Sequence, residues 1–170
     1  FLSRVREMEE ATERIVQRED LPRLRERHAG ERIVFTNGCF DILHRGHVEL
    51  LASARELGDL LVVGLNSDDS VRRLGKGDGR PFNRQDDRAY LLLMLRCVDC
   101  VTIFDEDTPL ETIAALRPDV LAKGAEYAPG EIVGADIVEE NGGEVVRIDM
   151  VGAHSTSALV RRIREEADAP

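Results

Sequence analysis

Five short apolar runs, each followed by a stretch with apolar positions at helical spacing, organise most of this 170-residue chain. The runs are RIVFTN at 32–37, LLVVGLN at 60–66, VDCVTIF at 98–104, DVLAKG at 119–124 and EVVRIDM at 144–150. Near-continuous hydrophobicity over so few residues predicts strands buried on both faces. Between the first two, 46–57 carries Val48, Leu50, Leu51, Ala54 and Leu57 on one helical side and stops at Gly58. A second helix is predicted over about 84–96, with Tyr90, Leu91, Met94 and Leu95 inward. The stretch 108–116 opens with Thr108 as a cap and Pro109 in the first helical position. Segments 131–142 and 155–167 predict two further helices.

Residues 4–28 read as charged helix interrupted near 17–22, with Ile15, Val16, Leu21 and Leu24 as a modest apolar side. Strands alternating with helices mean a parallel sheet covered on both faces. The expectation is an N-terminal helical segment over 1–28, then over 29–170 one α/β domain with a Rossmann-like, doubly wound, five-stranded parallel sheet. Such sheets bind ligands at the carboxyl ends of their strands, where strand order reverses.

Charge narrows the partners. The net charge is −10, which argues against a general binder of nucleic acid or acidic membrane. Between Arg72 and Arg88, however, six basic residues face three acidic ones, a local +3 that leaves −13 elsewhere. A cationic loop on an anionic protein suits a small polyanion. No apolar run approaches the roughly 20 residues needed to span a bilayer, and nothing resembles a signal peptide. Three cysteines do not make a disulfide framework. Cys97 and Cys100 form C-V-D-C without a second pair or nearby histidines, so packing is expected rather than a zinc or redox site.

The chemistry concentrates in GCFDILHRGH, residues 38–47, at the predicted end of the first strand. Gly38 permits a tight turn or close approach of a ligand. His44 and His47 stand one helical turn apart, with Gly46 leaving a gap free of side chain. The first turn of a helix adds unpaired N–H groups and a partial positive charge. Two imidazoles, a bare backbone position and a helix start converge on one anion. Transfer at phosphorus fits, because it is helped chiefly by positioning and by neutralising charge on oxygen. A metal pair would need more ligands than His28, His154 and scattered carboxylates supply, so no metal site is expected. Asp41 either orients a histidine or turns the chain, and a structural role is expected. The glycine-rich GKGDG at 75–79 lacks the spacing of a nucleotide P-loop and reads as flexible.

GCFDILHRGH resembles the G-x-F-D-x-x-H-x-G-H signature of the cytidylyltransferase-like nucleotidyltransferase superfamily, and the similarity runs from about Ile15 to Ile163. In its loops (LNSDDSVRRL, GRPFNRQDDRA, DEDTPLETIAALRPDVLAKGAEY) the chain is most similar to the adenylyltransferases of ADP-heptose synthesis, which in many bacteria form one half of a bifunctional kinase–adenylyltransferase. The resemblance implies that ATP with Mg²⁺ and heptose 1-phosphate give ADP-heptose and pyrophosphate. A homodimer and a fused or partner sugar kinase in the bacterial cytoplasm are implied with it.

By the same resemblance His44, His47 and Lys123 are the catalytic residues. Thr36, Asn37, Gly38, Cys39, Phe40, Gly46 and Gly124 then line the nucleotide, and Ser155 and Thr156, in HSTS, take its outer phosphates. Taken alone, HSTS is an ordinary helix cap. Lys76, Arg80 and Arg88 correspond to phosphate-binding cations. The sequence departs from the family pattern at Glu126, where K-G-x-D-Y has aspartate, and at Ser157, where threonine is usual. Three other functions share features with this one. They are a CTP-dependent transferase acting on glycerol 3-phosphate or another polyol or ethanolamine phosphate, adenylation of a flavin or pantetheine phosphate, and a nucleotide-sensing module without turnover.

Overall fold

The computed structural model describes residues 12–75, 77, 79–125, 127–128, 130–149 and 156–167. Five strands, β1 (Ile33–Gly38), β2 (Leu60–Asn66), β3 (Cys100–Phe104), β4 (Val120–Gly124) and β5 (Glu144–Ile148), form one sheet in the order β3-β2-β1-β4-β5. Every pairing is parallel, and β1 runs beside β2 from Ile33↔Leu60 to Gly38↔Leu65. All seven residues of β2 are buried, as its unbroken apolar run predicts.

The helices are α1 (Leu21–Arg27), α2 (Arg45–Arg55), α3 (Asp68–Arg73), α4 (Gln85–Leu93), α5 (Leu110–Leu116), α6 (Ala135–Glu140) and α7 (Thr156–Ala167). Side chains alternate across a strand, so β1 serves both layers. Val34 joins Leu51, Leu61, Val63 and Leu92 in the core under α2 and α4. Ile33 and Phe35 join Leu24, Ile113, Leu116 and Val138 in the core under α1, α5 and α6. The chain moves from β1 outward to β3 and then returns to the far side of β1 as β4. The reversal of strand order therefore falls between β1 and β4, where their carboxyl ends open a crevice.

Four elements differ from the sequence expectation. Ile15 and Val16, expected on a helix, are extended: Ile15 bridges Val101, and Val16 N–H donates to the Val101 carbonyl at 2.8 Å. Arg14 fixes this segment by donating to the carbonyls of Val98, at 3.2 Å, and Leu93. The backbone groups on the outer side of β3 need partners, and two β-branched residues supply them better as strand than as helix.

α3 lies in what reads as a basic loop. Ser67 caps it by accepting from Ser70 N–H at 3.0 Å. α4 turns Arg88, Ala89, Leu92 and Leu93 inward, while Tyr90, Leu91 and Met94 are exposed. The charge on Arg88 hides this phase, because hydropathy counts it against the buried side. At α5, Pro109 rather than Thr108 occupies the cap position, without a side-chain bond.

Candidate active site

The carboxyl end of β1 turns into α2 through Cys39–His44, and this turn is held tightly. Phe40 has φ 45°, the left-handed region that a bulky side chain seldom occupies. A Cβ placed on Gly38 would meet the Phe40 ring at 3.1 Å, so the glycine makes room for that ring. Phe40 in turn stands edge-on to His47, with ring centroids 5.2 Å apart.

His44 is the N-cap of α2, with extended backbone, and its Nδ1 accepts from the His47 N–H at 3.4 Å. A ring nitrogen that accepts leaves the proton of the neutral ring on the other nitrogen, so His44 carries its donor on Nε2. The two imidazoles stack, with centroids 3.7 Å apart and planes 17° from parallel. Both rings are half-buried at the start of the helix, and Gly46 between them is buried. The stack sets the two rings side by side at the start of the helix. α7 closes on the same turn, because the Thr156 hydroxyl donates to the Ile42 carbonyl at 3.2 Å.

Across the crevice, Lys123 near the end of β4 is buried and bonds to the Asn37 side-chain oxygen. Its ammonium also lies 5.3 Å from the centre of the Tyr127 ring. Gly124, the last residue of β4, accepts from Tyr127 N–H at 3.2 Å. Thr36 is buried within β1, and its hydroxyl has no hydrogen-bond partner among the described residues. The Cys39 thiol meets the Asn66 side-chain oxygen at 3.8 Å.

The basic segment behaves differently from an array of loop cations. Arg88 is completely buried, and its guanidinium donates to the carbonyls of Cys39 at 2.6 Å, Asn66 at 2.8 Å and Asn83 at 3.0 Å. The same group pairs with Asp68 at 2.8 Å. Arg88 thus joins the β1 turn, the end of β2 and the 80–84 segment from inside, and its donors are committed to protein acceptors.

Asp41 grips the same segment: one carboxylate oxygen accepts from Phe82 N–H at 2.8 Å and Asn83 N–H at 3.0 Å. The expectation that Asp41 is structural matches this grip. Arg80 approaches the other oxygen of Asp41 to 3.7 Å and lies over the Phe82 ring. Lys76 and Ser155 lie outside the described residues.

Asn66 ends β2 beside Cys39, Asn83 lies before α4 and bonds Asp41 and Arg88, and Tyr127, the tyrosine of the K-G-x-D-Y resemblance, stands beside Lys123. No local spacing marks the two asparagines. Cys97 and Cys100 pack against opposite cores and are free thiols, and burial pushes the Cys100 thiol up to about 11. Among the described residues no three metal-ligating side chains converge, and no helix is long and apolar enough to cross a membrane.

A parallel α/β sheet carries paired imidazoles at a helix start, at the point of strand reversal, an arrangement with the donors and partial positive charge to hold an anion. The cytidylyltransferase-like family model matches residues 35–161. The chain belongs to that family, and with it to the nucleotidyltransferase enzymes. It is 56% identical over 138 residues to the bifunctional protein HldE of Syntrophotalea carbinolica, covering 81% of this chain and 28% of the relative. To the bifunctional protein HldE of Campylobacter curvus it is 51% identical over 164 residues, covering 96% of this chain and 34% of the relative. The chain therefore spans about a third or less of these relatives' length. Among solved structures, the lipopolysaccharide core biosynthesis protein from Thermoplasma volcanium superposes with a TM-score of 0.61 at 28% identity, over 74% of this chain and 100% of that one.

Proposed function

We propose that this chain transfers the AMP group of ATP to a sugar 1-phosphate, D-glycero-β-D-manno-heptose 1-phosphate, giving ADP-heptose and pyrophosphate. The observation that carries this reading is the stacked His44–His47 pair, 3.7 Å apart at the start of α2. Identity above one half to bifunctional HldE proteins supports heptose as the acceptor and a sugar kinase as the fused or partner activity. The solved relative described as a lipopolysaccharide core biosynthesis protein fits an activated sugar as product.

The acceptor brings its own nucleophile, because a phosphate monoester is largely dianionic near neutral pH. One of its oxygens forms a bond to the α-phosphorus of ATP. The bond from that phosphorus to the bridging oxygen of the β-phosphate breaks, and pyrophosphate leaves with the electron pair. The chain therefore needs no general base. Its task is to hold the α-phosphate and neutralise the charge that builds on its oxygens.

His44 and His47 supply N–H donors on one side, and the N-terminus of α2 adds its partial charge. Lys123 supplies a cation from the opposite wall. Gly38, Cys39, Phe40 and Gly124 present backbone along the nucleotide, and Asn37 orients Lys123. By the resemblance, Ser155 and Thr156 take the outer phosphates, and Lys76 and Arg80 serve as further phosphate-binding cations. Mg²⁺ enters as part of the ATP substrate, held by phosphate oxygens and water as that ion prefers.

The test is pyrophosphate release by the purified chain with ATP or CTP and a panel of acceptors. The expected result is turnover with ATP and heptose 1-phosphate, and little with CTP and glycerol 3-phosphate. Equal or greater turnover with CTP and a polyol phosphate would reassign the acceptor. Nucleotide binding without release from any pair would make the protein a sensor.

A further inference from the structure

The ladder between β1 and β2 ends at Gly38↔Leu65, yet the next two residues stay together. The Cys39 thiol meets the Asn66 side-chain oxygen at 3.8 Å, and one guanidinium nitrogen of Arg88 holds both backbone carbonyls. Arg88 fixes the main chain. The side chains form a second tie, and it begins well away from the nucleotide.

The direction of that tie follows from its donors and acceptors. The Glu106 carbonyl, beyond the end of β3, can only accept, so the Ser70 hydroxyl 2.8 Å away directs its single proton there. The Ser70 oxygen is left as an acceptor, and the Asn66 carboxamide turns its NH2 group toward it at 3.0 Å. The Asn66 oxygen then faces Cys39, whose thiol is the donor. Ser67 repeats the pattern alongside: its hydroxyl donates to the Asp105 carboxylate and accepts from Ser70 N–H at 3.0 Å. Cys39, Asn66, Ser67 and Ser70 are all buried. A buried polar chain whose members are all bonded is rigid and has one orientation.

We propose that Ser70 and Asn66 are positioning residues for the transfer: they carry the placement of residues 105–106 to Cys39 and thereby hold the histidine turn in its working shape. This inference rests on the reaction proposed above. Phe40, the next residue, has φ 45°, a conformation that a bulky side chain keeps only where its neighbours over-determine it. Its ring stands edge-on to His47, with centroids 5.2 Å apart. Losing the side-chain tie would free Cys39 and let Phe40 relax, and the imidazole against that ring would move. Ser70 has no solvent exposure, so it cannot touch a substrate. Any kinetic effect of its hydroxyl must arrive through its neighbours.

The experiment uses the full chain and compares wild type with Ser70→Ala, Ser70→Cys, Asn66→Ala, Cys39→Ala and the double variant carrying both Ser70→Ala and Cys39→Ala. Two Ser70 variants are made so that one folded protein suffices, as checked by circular dichroism. Thr112→Val is the control, because the Thr112 hydroxyl is buried on α5 with no hydrogen-bond partner among the described residues. Pyrophosphate release is followed well below thermal unfolding. Ser70→Ala and Asn66→Ala should lower kcat by about tenfold or more, approaching the roughly 100-fold of an ångström-scale misplacement. KM for ATP should stay within about threefold, the mark of an interaction that matters in the transition state. Ser70→Ala should add nothing further in the Cys39→Ala background, since both remove the same link. Unchanged kcat in a folded Ser70 variant, additive losses in the double variant, or an equal loss in Thr112→Val would overturn the assignment. If wild type turns over with no acceptor, the transfer reading fails by itself. The link is then judged by two-dimensional NMR of backbone amides: shifts at Phe40 and His47 in Ser70→Ala support it, and shifts confined to residues 66–71 and 105–107 refute it.

Discussion

The guanidinium of Arg88 donates to the carbonyl of Cys39 at 2.6 Å from a position with no solvent exposure. That single bond ties α4 to the turn that presents the histidines. The same guanidinium also satisfies Asn66 and Asn83 and pairs with Asp68. Removing it would strand four acceptors around a cavity. Arg88→Ala should therefore lower stability by roughly 3–5 kcal/mol, as for a broken buried pair. With about 2–4 °C per kcal/mol in a chain of this size, thermal unfolding should shift by roughly 10 °C. Arg88→Lys should recover little, because an ammonium cannot reproduce a planar fork of donors. A variant as stable as wild type would show that these bonds do not hold the turn.

His44 and His47 separate cleanly by their structural burden. His44 is also the cap of α2, whereas His47 is not. His44→Ala should cost about 1 kcal/mol of stability for the lost cap, and His44→Asn should restore it, since asparagine caps well. Both His44 variants and His47→Ala should lower kcat by roughly 100- to 1,000-fold, the usual loss for one donor to a developing oxyanion. Chemical denaturation and pyrophosphate release, run on the same three proteins, measure the two effects apart. Retained turnover in His44→Asn would remove the imidazole from the chemistry.

Gly38→Ala tests the chain of contact from glycine to Phe40 to His47. The added methyl would press the Phe40 ring at 3.1 Å, and that ring stands against His47. Phe40 already occupies the left-handed region and has little freedom to yield. A small stability loss with a drop in kcat toward 100-fold is expected, the scale of an ångström-level misplacement of a reacting group. Denaturation midpoints and kcat together check it. A loss in KM for ATP alone would mean the methyl meets the nucleotide rather than Phe40.

Cys100 should resist alkylation. Burial raises its thiol to about 11, with Asp99 adding to the rise, so the reactive thiolate is scarce at neutral pH. Below that value the thiolate fraction grows tenfold per pH unit, so labelling by iodoacetamide should accelerate by that factor from pH 7 upward. Peptide mapping by mass spectrometry after timed labelling at several pH values reads it directly. Rapid labelling of Cys100 at pH 7 would contradict its burial.

Much of this was legible in the sequence. β2 matches its apolar run residue for residue, because a central strand buried on both faces has no polar position to blur its ends. The histidine turn was legible because helix geometry forces residues three apart onto one side. Arg88 was not, since a basic residue in a polar segment looks the same to a hydropathy pattern whether it faces solvent or a ring of carbonyls. The inward phase of α4 was misjudged for the same reason. α3 went unseen because its start depends on one cap, Ser67, among residues that also suit a loop. Asn37 and Lys123 meet from strands distant in sequence, and no local spacing announces such a meeting.

The extended segment around Ile15 has a consequence for β3. Without it, the outermost strand would offer a row of bare peptide groups to any passing chain, an invitation to self-association. Instead, Val16 N–H and the Arg14 carbonyl occupy both sides of Val101. A version trimmed to begin at residue 29 would keep the histidines and the sheet order yet lose this shield, and would be expected to precipitate where the longer chain stays dispersed.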